Sequence, residues 1–304
     1  MKNYIIISIL CLSLSFAQAA GKPFSRKKST IESIIKNLED SKSDQITVVA
    51  HRGDWRNAPE NSIQSIKNCI KMGVDMVEID IHETKDGHLV LMHDGSVDRT
   101  TNGKGSVKSW TLDSLKTLNL LDKDGNETNH KIPTLEEALL VSKDKILLNL
   151  DKSYNIFDKC YELMEKTKTL DQVIIKGAKN RAVVEKEIGK YLDKVYFMPI
   201  VSISSKSAKA TIDDYLENRL PVAFEIIIPH DSLELINYFD HIRLKGSSVW
   251  VNSLWASLCA GHNDEKAAKD PTVYDWYIKH KVNIIQTDNP QLLIEYLREK
   301  GLHR

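Results

Sequence analysis

Two carboxylates and two histidines stand out among the reactive side chains. In "MVEIDIH", residues 76–82, Glu78 and Asp80 alternate with Ile79 and Ile81, so in an extended strand both acids lie on one face. The apolar flanks read as a strand buried on both sides. Neighbouring carboxylates repel unless a proton or a cation comes between them. Asp151, at the end of the run "LLNLD", supplies a third acid, and a set of oxygen donors suits a hard divalent ion, Mg2+ or Ca2+. His51 and Arg52 end the apolar run "VVAHR", and His93 ends "LVLMH". Imidazole serves as general acid or base near neutrality, and the forked guanidinium of Arg52 matches phosphate oxygens. A metal, an arginine and two histidines around one point would suit cleavage of a phosphate ester. His82, on the face of Glu78 and Asp80, is read as a supporting or structural residue.

These groups lie far apart in the chain, so the elements must bring them together. Apolar, strand-like runs occur at 45–51, 76–82, 146–151, 172–176, 195–202, 222–228, 247–252 and 283–288, and helical patterns lie between most of them. Strand-helix alternation favours a parallel sheet with crossover helices, and eight repeats at this length predict a closed (β/α)8 TIM barrel. In that fold, reactive side chains collect at the carboxyl ends of the strands, where the polar residues of these runs fall. A further run, 88–92, follows the second strand across "TKDG", too soon for a crossover, and predicts an extra hairpin. Residues 94–145 read as an elaborated loop. Its "NGKG" lacks the GxxxxGK[ST] spacing of a phosphate loop and reads as a glycine turn.

The 304 residues include 42 basic and 42 acidic ones, so no global field draws in nucleic acid or an anionic membrane. Binding of a negative ligand must be local. Residues 1–20, "MKNYIIISILCLSLSFAQAA", have the basic start, apolar centre and small-residue exit of a secretory signal, and are too short to span a membrane. Cys11 follows Leu10, where a lipoprotein signal needs a small residue. Residues 21–44 read as a charged leader with an amphipathic piece at Ile31 to Leu38, and 45–304 as the barrel domain. The expectation is an exported, soluble protein without stable membrane insertion. Cys69, Cys160 and Cys259 have no CxxC spacing, which argues against a disulfide framework or a zinc site.

Taken together, "HRGDWRNAPENS", "EIDIHETKDGHLVLMHD" and "DRTTNGKGS" resemble the glycerophosphodiester phosphodiesterase family in the order and spacing of their motifs. The later "NIIQTDNP" resembles the family's closing strand. The resemblance implies a TIM barrel that hydrolyses small-molecule glycerophosphodiesters with a divalent metal. It implies His51 and His93 as the acid/base pair, Arg52 as the phosphate clamp, and Glu78 and Asp80 as metal ligands. Glu60 of the PEN motif would be a ligand, a supporting carboxylate, or a loop acid near a helix cap at Asn61 or Ser62.

The chain departs from the family pattern in two places. Asp151 stands where the family has Glu, and Ser153 where the family lysine would lie, while strand alternation predicts that Lys152 points away. Lys176, in "VIIKG", is either the replacement cation or an exposed rim lysine. In "SSVWVNS", Trp250 is either a flat wall for the substrate or a core residue; Glu225 and Trp255 are further substrate-side candidates. Two rival readings remain: a phospholipase C- or D-type phosphodiesterase acting on intact lipids, and an exported barrel that binds phosphodiesters without turnover.

Overall fold

All eight apolar runs form strands, and their parallel pairing closes on itself. The computed structural model describes residues 31–304; the signal-like residues 1–20 and the first part of the leader lie outside the described residues. The strands are β1 (Thr47–His51), β2 (Met76–Glu83), β3 (Leu89–Leu91), β4 (Leu147–Asp151), β5 (Val173–Gly177), β6 (Tyr196–Ser202), β7 (Ala223–Ile227), β8 (Ser248–Asn252) and β9 (Ile284–Thr287). All but β3 are parallel, and β1 pairs with both β9 and β2 to close the barrel. β3 runs antiparallel to β2, with Ile81 opposite Leu91, as the short "TKDG" turn requires.

The helices are α1 (Ile31–Glu39), α2 (Ile63–Met72), α3 (Leu112–Thr117), α4 (Leu135–Ser142), α5 (Phe157–Thr167), α6 (Arg181–Ile188), α7 (Ala208–Asn218), α8 (Phe239–Leu244), α9 (Asp264–Ala267), α10 (Asp275–Lys279) and α11 (Pro290–Glu299). The long 94–145 segment builds a small apolar core of its own around Val97, Val107, Leu115 and Ile132.

Side chains inside the barrel form layers. One residue from each barrel strand, Val49, Met76, Leu147, Ile174, Met198, Ala223, Trp250 and Ile284, makes an apolar floor. The amphipathic piece of the leader is α1, which lays Ile31, Ile34 and Leu38 against that floor. Each such buried side chain contributes about 1.5–3 kcal/mol of apolar burial. Two residues further along the same strands come His51, Glu78, Asn149, Lys176, Ile200, Glu225, Asn252 and Gln286. All of these but Ile200 are polar. The functional groups therefore begin one layer above the floor.

Candidate functional site

A left-handed turn at the end of β1 aims its polar residues. Arg52 has φ 56° and Gly53 φ 78°, and a Cβ on Gly53 would come within 2.3 Å of Ser65 Oγ, so only glycine fits. The turn brings the Arg52 amide to donate to Glu78 Oε2 at 3.1 Å. The guanidinium lies over the acids, with Nη1 3.3 Å from Glu60 Oε1 and Nε 3.5 Å from Asp80 Oδ2. Arg52 Nε is buried and makes no hydrogen bond to the described residues, facing only the Asp80 carboxylate across the longer ion-pair distance. Further along, Asn61 grips Asp80 twice: its Nδ2 donates to Asp80 Oδ2 and its Oδ1 accepts from the Asp80 amide, both at 3.0 Å. Ser62, not Asn61, caps α2, accepting from the Ser65 amide.

β2 and β4 pair in register, with Asp80 beside Asp151. Glu78, Asp80 and Asp151 each place one oxygen within 4.8 Å of the others. Burial, and then the neighbouring Asp80 charge, hold the Glu78 carboxyl well above the usual range. Burial also pushes Asp80 up, but the Lys152 ammonium and the Asn61 amide outweigh it, so Asp80 lies below its ordinary value.

Lys152 corrects an expectation. Strand alternation turns it away from the site, but β4 ends at Asp151 and Lys152 itself takes φ 58°, a left-handed conformation that swings it inward. Its Nζ is 2.9 Å from Asp80 Oδ1 and also donates to the His93 carbonyl. Ser153, at the family's lysine position, is buried and donates to the Leu150 carbonyl instead.

Both histidines are held at Nδ1 by a carboxylate. His51 Nδ1 is 2.8 Å from Asp288 Oδ1, which also accepts from the Trp55 indole at 2.7 Å. The other ring nitrogen of His51, Nε2, stands 4.0 Å from Glu78 Oε2. His93 Nδ1 is 2.6 Å from Asp94 Oδ1. The Arg99 guanidinium, bonded to Asp94 at 2.8 Å, holds that carboxyl far below the usual range. A carboxylate at Nδ1 favours the proton there and leaves the Nε2 lone pair for chemistry. No motif of the sequence assigns a role to Asp288, Asp94 or Arg99. Asp288 and Arg99 do lie within the quoted "NIIQTDNP" and "DRTT", where the motif order was visible but the pairing was not.

The remaining candidates divide. Glu60 does not join the three-acid cluster; Arg99 takes both its oxygens, at 2.7 and 2.8 Å, beside Arg52. Lys176 is buried rather than exposed on the rim, with Nζ 3.2 Å from Glu225 Oε2 and 3.9 Å from Asp151 Oδ1. Burial alone would depress the Lys176 ammonium, but Glu225, Asp151 and Glu78 more than offset this and hold it above its ordinary value. Glu225 also accepts from Asn252 Nδ2 at 2.9 Å. Trp250 is no substrate wall: it is fully buried in the barrel floor, and its indole donates to Asn252 Oδ1. Trp255 is 53% exposed and meets the His51 ring edge-on at 5.9 Å between centroids. His82 bonds to the His93 carbonyl through Nε2 at 3.2 Å, and burial pulls its imidazole below the ordinary value.

Three convergent carboxylates, one of them forced toward its neutral form by burial and then by the neighbouring Asp80 charge, make a site that a divalent cation would relieve. The donors are all oxygen, as such an ion requires.

Comparisons with known proteins bear on the family and the fold. The model of the glycerophosphoryl diester phosphodiesterase family matches residues 51–226, and a model described as a domain of unknown function matches residues 197–297. A glycerophosphodiester phosphodiesterase from Caldanaerobacter subterraneus subsp. tengcongensis is 48% identical over 102 residues, 33% of this chain and 42% of that protein. Human glycerophosphodiester phosphodiesterase 1 is 42% identical over 99 residues, 32% of this chain and 30% of that protein. The matches thus span less than half the length of these curated relatives. Among solved structures, a glycerophosphoryl diester phosphodiesterase from Parabacteroides distasonis aligns with a TM-score of 0.71 at 26% identity, over 90% of this chain and 93% of that one. An Oleispira antarctica phosphodiesterase, solved with the product sn-glycerol-3-phosphate, shares the fold with a TM-score of 0.64 at 21% identity, over 85% and 99% of the two chains. With a family match that runs through more than half its length, from His51 past Glu225, the chain belongs to the glycerophosphodiester phosphodiesterase family.

Proposed function

We propose that the protein hydrolyses glycerophosphodiesters, releasing glycerol 3-phosphate and an alcohol. The observation that carries this reading is the His51 imidazole, held at Nδ1 by Asp288 with Nε2 4.0 Å from Glu78 of the three-acid cluster; His93, held at Nδ1 by Asp94, is the second histidine of the mouth. Glu78, Asp80 and Asp151 would hold Mg2+ or Ca2+, whose chemistry there is charge neutralisation on phosphate oxygens. The Arg52 guanidinium, lying over Asp80 and Glu60, would bind a non-bridging oxygen, and Lys152 adds positive charge beside Asp80. One histidine takes a proton from the attacking oxygen as it bonds to phosphorus, the attacker being water directly or a glycerol hydroxyl whose cyclic phosphate water then opens. The other protonates the alcohol oxygen as its bond to phosphorus breaks.

The names of the curated relatives and the product bound to the Oleispira enzyme support this substrate class. No described helix is long and apolar enough to cross a membrane. The "MKNYIIISILCLSLSFAQAA" leader supports export, with a mature chain starting near residue 21; N-terminal sequencing of the exported protein tests that part.

The activity is tested by incubating the protein with glycerophosphocholine, glycerophosphoethanolamine, glycerophosphoglycerol and glycerophosphoinositol and assaying glycerol 3-phosphate. Turnover is expected to fall by at least about a hundredfold with chelator and to return with Mg2+ or Ca2+. Chelator-insensitive turnover would sink the metal assignment, and turnover only on phospholipid vesicles would favour a lipid-directed enzyme.

A further inference from the structure

We propose that Asp264 is a positioning residue for His51, acting through Asp288. The inference rests on the reading of His51 as an acid/base group. Asp264 comes from the 253–283 connection between β8 and β9, outside every motif of the sequence, and opens the short helix α9. It is 5% exposed. Its Oδ2 accepts from the Asp288 amide at 2.7 Å. Its Oδ1 lies 2.7 Å from Ser253 Oγ and 2.7 Å from Thr287 Oγ1, with the Tyr274 hydroxyl at 3.4 Å. One carboxylate therefore ties the ends of β8 and β9 together at the residue whose side chain orients His51.

The chain of contacts is continuous. Asp264 fixes the Asp288 backbone, Asp288 Oδ1 holds His51 Nδ1 and the Trp55 indole, and His51 presents Nε2 to Glu78. No other carboxylate bonds to the Asp288 amide among the described residues, and every partner of Asp264 is a neutral hydroxyl or amide. Burial accordingly raises its carboxyl to about 6. A buried acid with no cation beside it is an unfavourable arrangement for stability alone, and such departures concentrate at functional sites. A small movement of Asp288 would turn the imidazole, and acid/base transfer depends on its alignment.

The test joins a spectroscopic readout to kinetics on the full chain. In histidine-labelled protein without substrate, the carboxylate-bound Nδ1–H of His51, assigned by its loss in His51→Gln, should give a protected downfield resonance. Asp264→Ala is expected to lose that resonance and to lower kcat at least tenfold while KM stays within about twofold. Asp264→Asn, which keeps an oxygen for the Asp288 amide, should retain the resonance and stay within threefold in kcat. Ser253→Ala removes a partner of Oδ1 but leaves the Oδ2 contact, and should keep both signals whatever it does to stability. If the alanine variant does not fold, Asp264→Glu shifts the oxygens by one methylene and should weaken the resonance and cut kcat at least fivefold. A His51 resonance unchanged in folded Asp264→Ala or Asp264→Glu overturns the proposal. Because the resonance is read without substrate, a wild type that hydrolyses no glycerophosphodiester would defeat the proposed function while the spectrum still decides the positioning role.

Discussion

The floor of the barrel and its mouth are built by the same eight strands, two residues apart. At the floor each strand contributes an apolar side chain, Trp250 fills the bore, and α1 covers the layer from below. One step up, the same strands present His51, Glu78, Lys176 and Glu225, and the layer above adds Asp80 and Asp151. The strand backbone does not change in that step; only the side chains inside a common wall do. Stability and chemistry are therefore separable in this fold by depth along a strand. The floor is apolar packing whose one indole N–H, on Trp250, is met by Asn252. The mouth gathers three carboxylates that Lys152 and Lys176 only partly offset, and burial beside the Asp80 charge holds Glu78 toward its neutral form, a strain that a bound cation would relieve.

The largest expected effect breaks the mouth and spares the floor. His93→Ala should reduce kcat/KM about 10²–10⁴-fold, with thermal unfolding nearly unchanged because the side chain is partly exposed; a collapse of stability instead would erase the distinction. Trp250→Ala should do the reverse, costing about 3–5 kcal/mol in denaturant unfolding and sparing the turnover of molecules that remain folded. Asp264→Asn sharpens the contrast through pH. The Asp264 carboxyl is raised to about 6 in the folded protein, so stability from its neutral form is present in full below the unfolded value, about 4, and is lost as pH rises through 6. The variant cannot ionise there and should gain about 3 kcal/mol on the wild type by pH 7. Unfolding curves at pH 4 and pH 7 check this, and equal pH dependence of the two proteins would refute it.

The barrel was legible because each strand is an apolar run punctuated by turns, and period-two alternation correctly placed Glu78 and Asp80 on one face. Alternation failed at Lys152 because the strand stops at Asp151 and a positive φ replaces it. Depth was not legible at all. Trp250 and Glu225 have the same strand pattern, yet one lies in the floor and the other beside Lys176. The carboxylates that orient the histidines differ in a similar way. Asp94 is the next residue after His93, whereas the contact between Asp288 and His51 spans most of the chain and appears only when β9 closes against β1. Glu60 kept its motif but not the expected partner, since Arg99, folded over from the 94–145 segment, takes both its oxygens. Asp264 lies in an insertion that carries no motif, so only the folded chain reveals it.

The two ends of the described chain meet beneath the floor. Arg304 bonds Ser33 of α1 and Asp75, and the Ile46 amide donates to the Leu302 carbonyl. Both ends of the described residues thus lie on the side opposite the site. A tether joined to Arg304, whether a fusion partner or a solid support, would hold the barrel by its base and leave the mouth open to diffusing substrate.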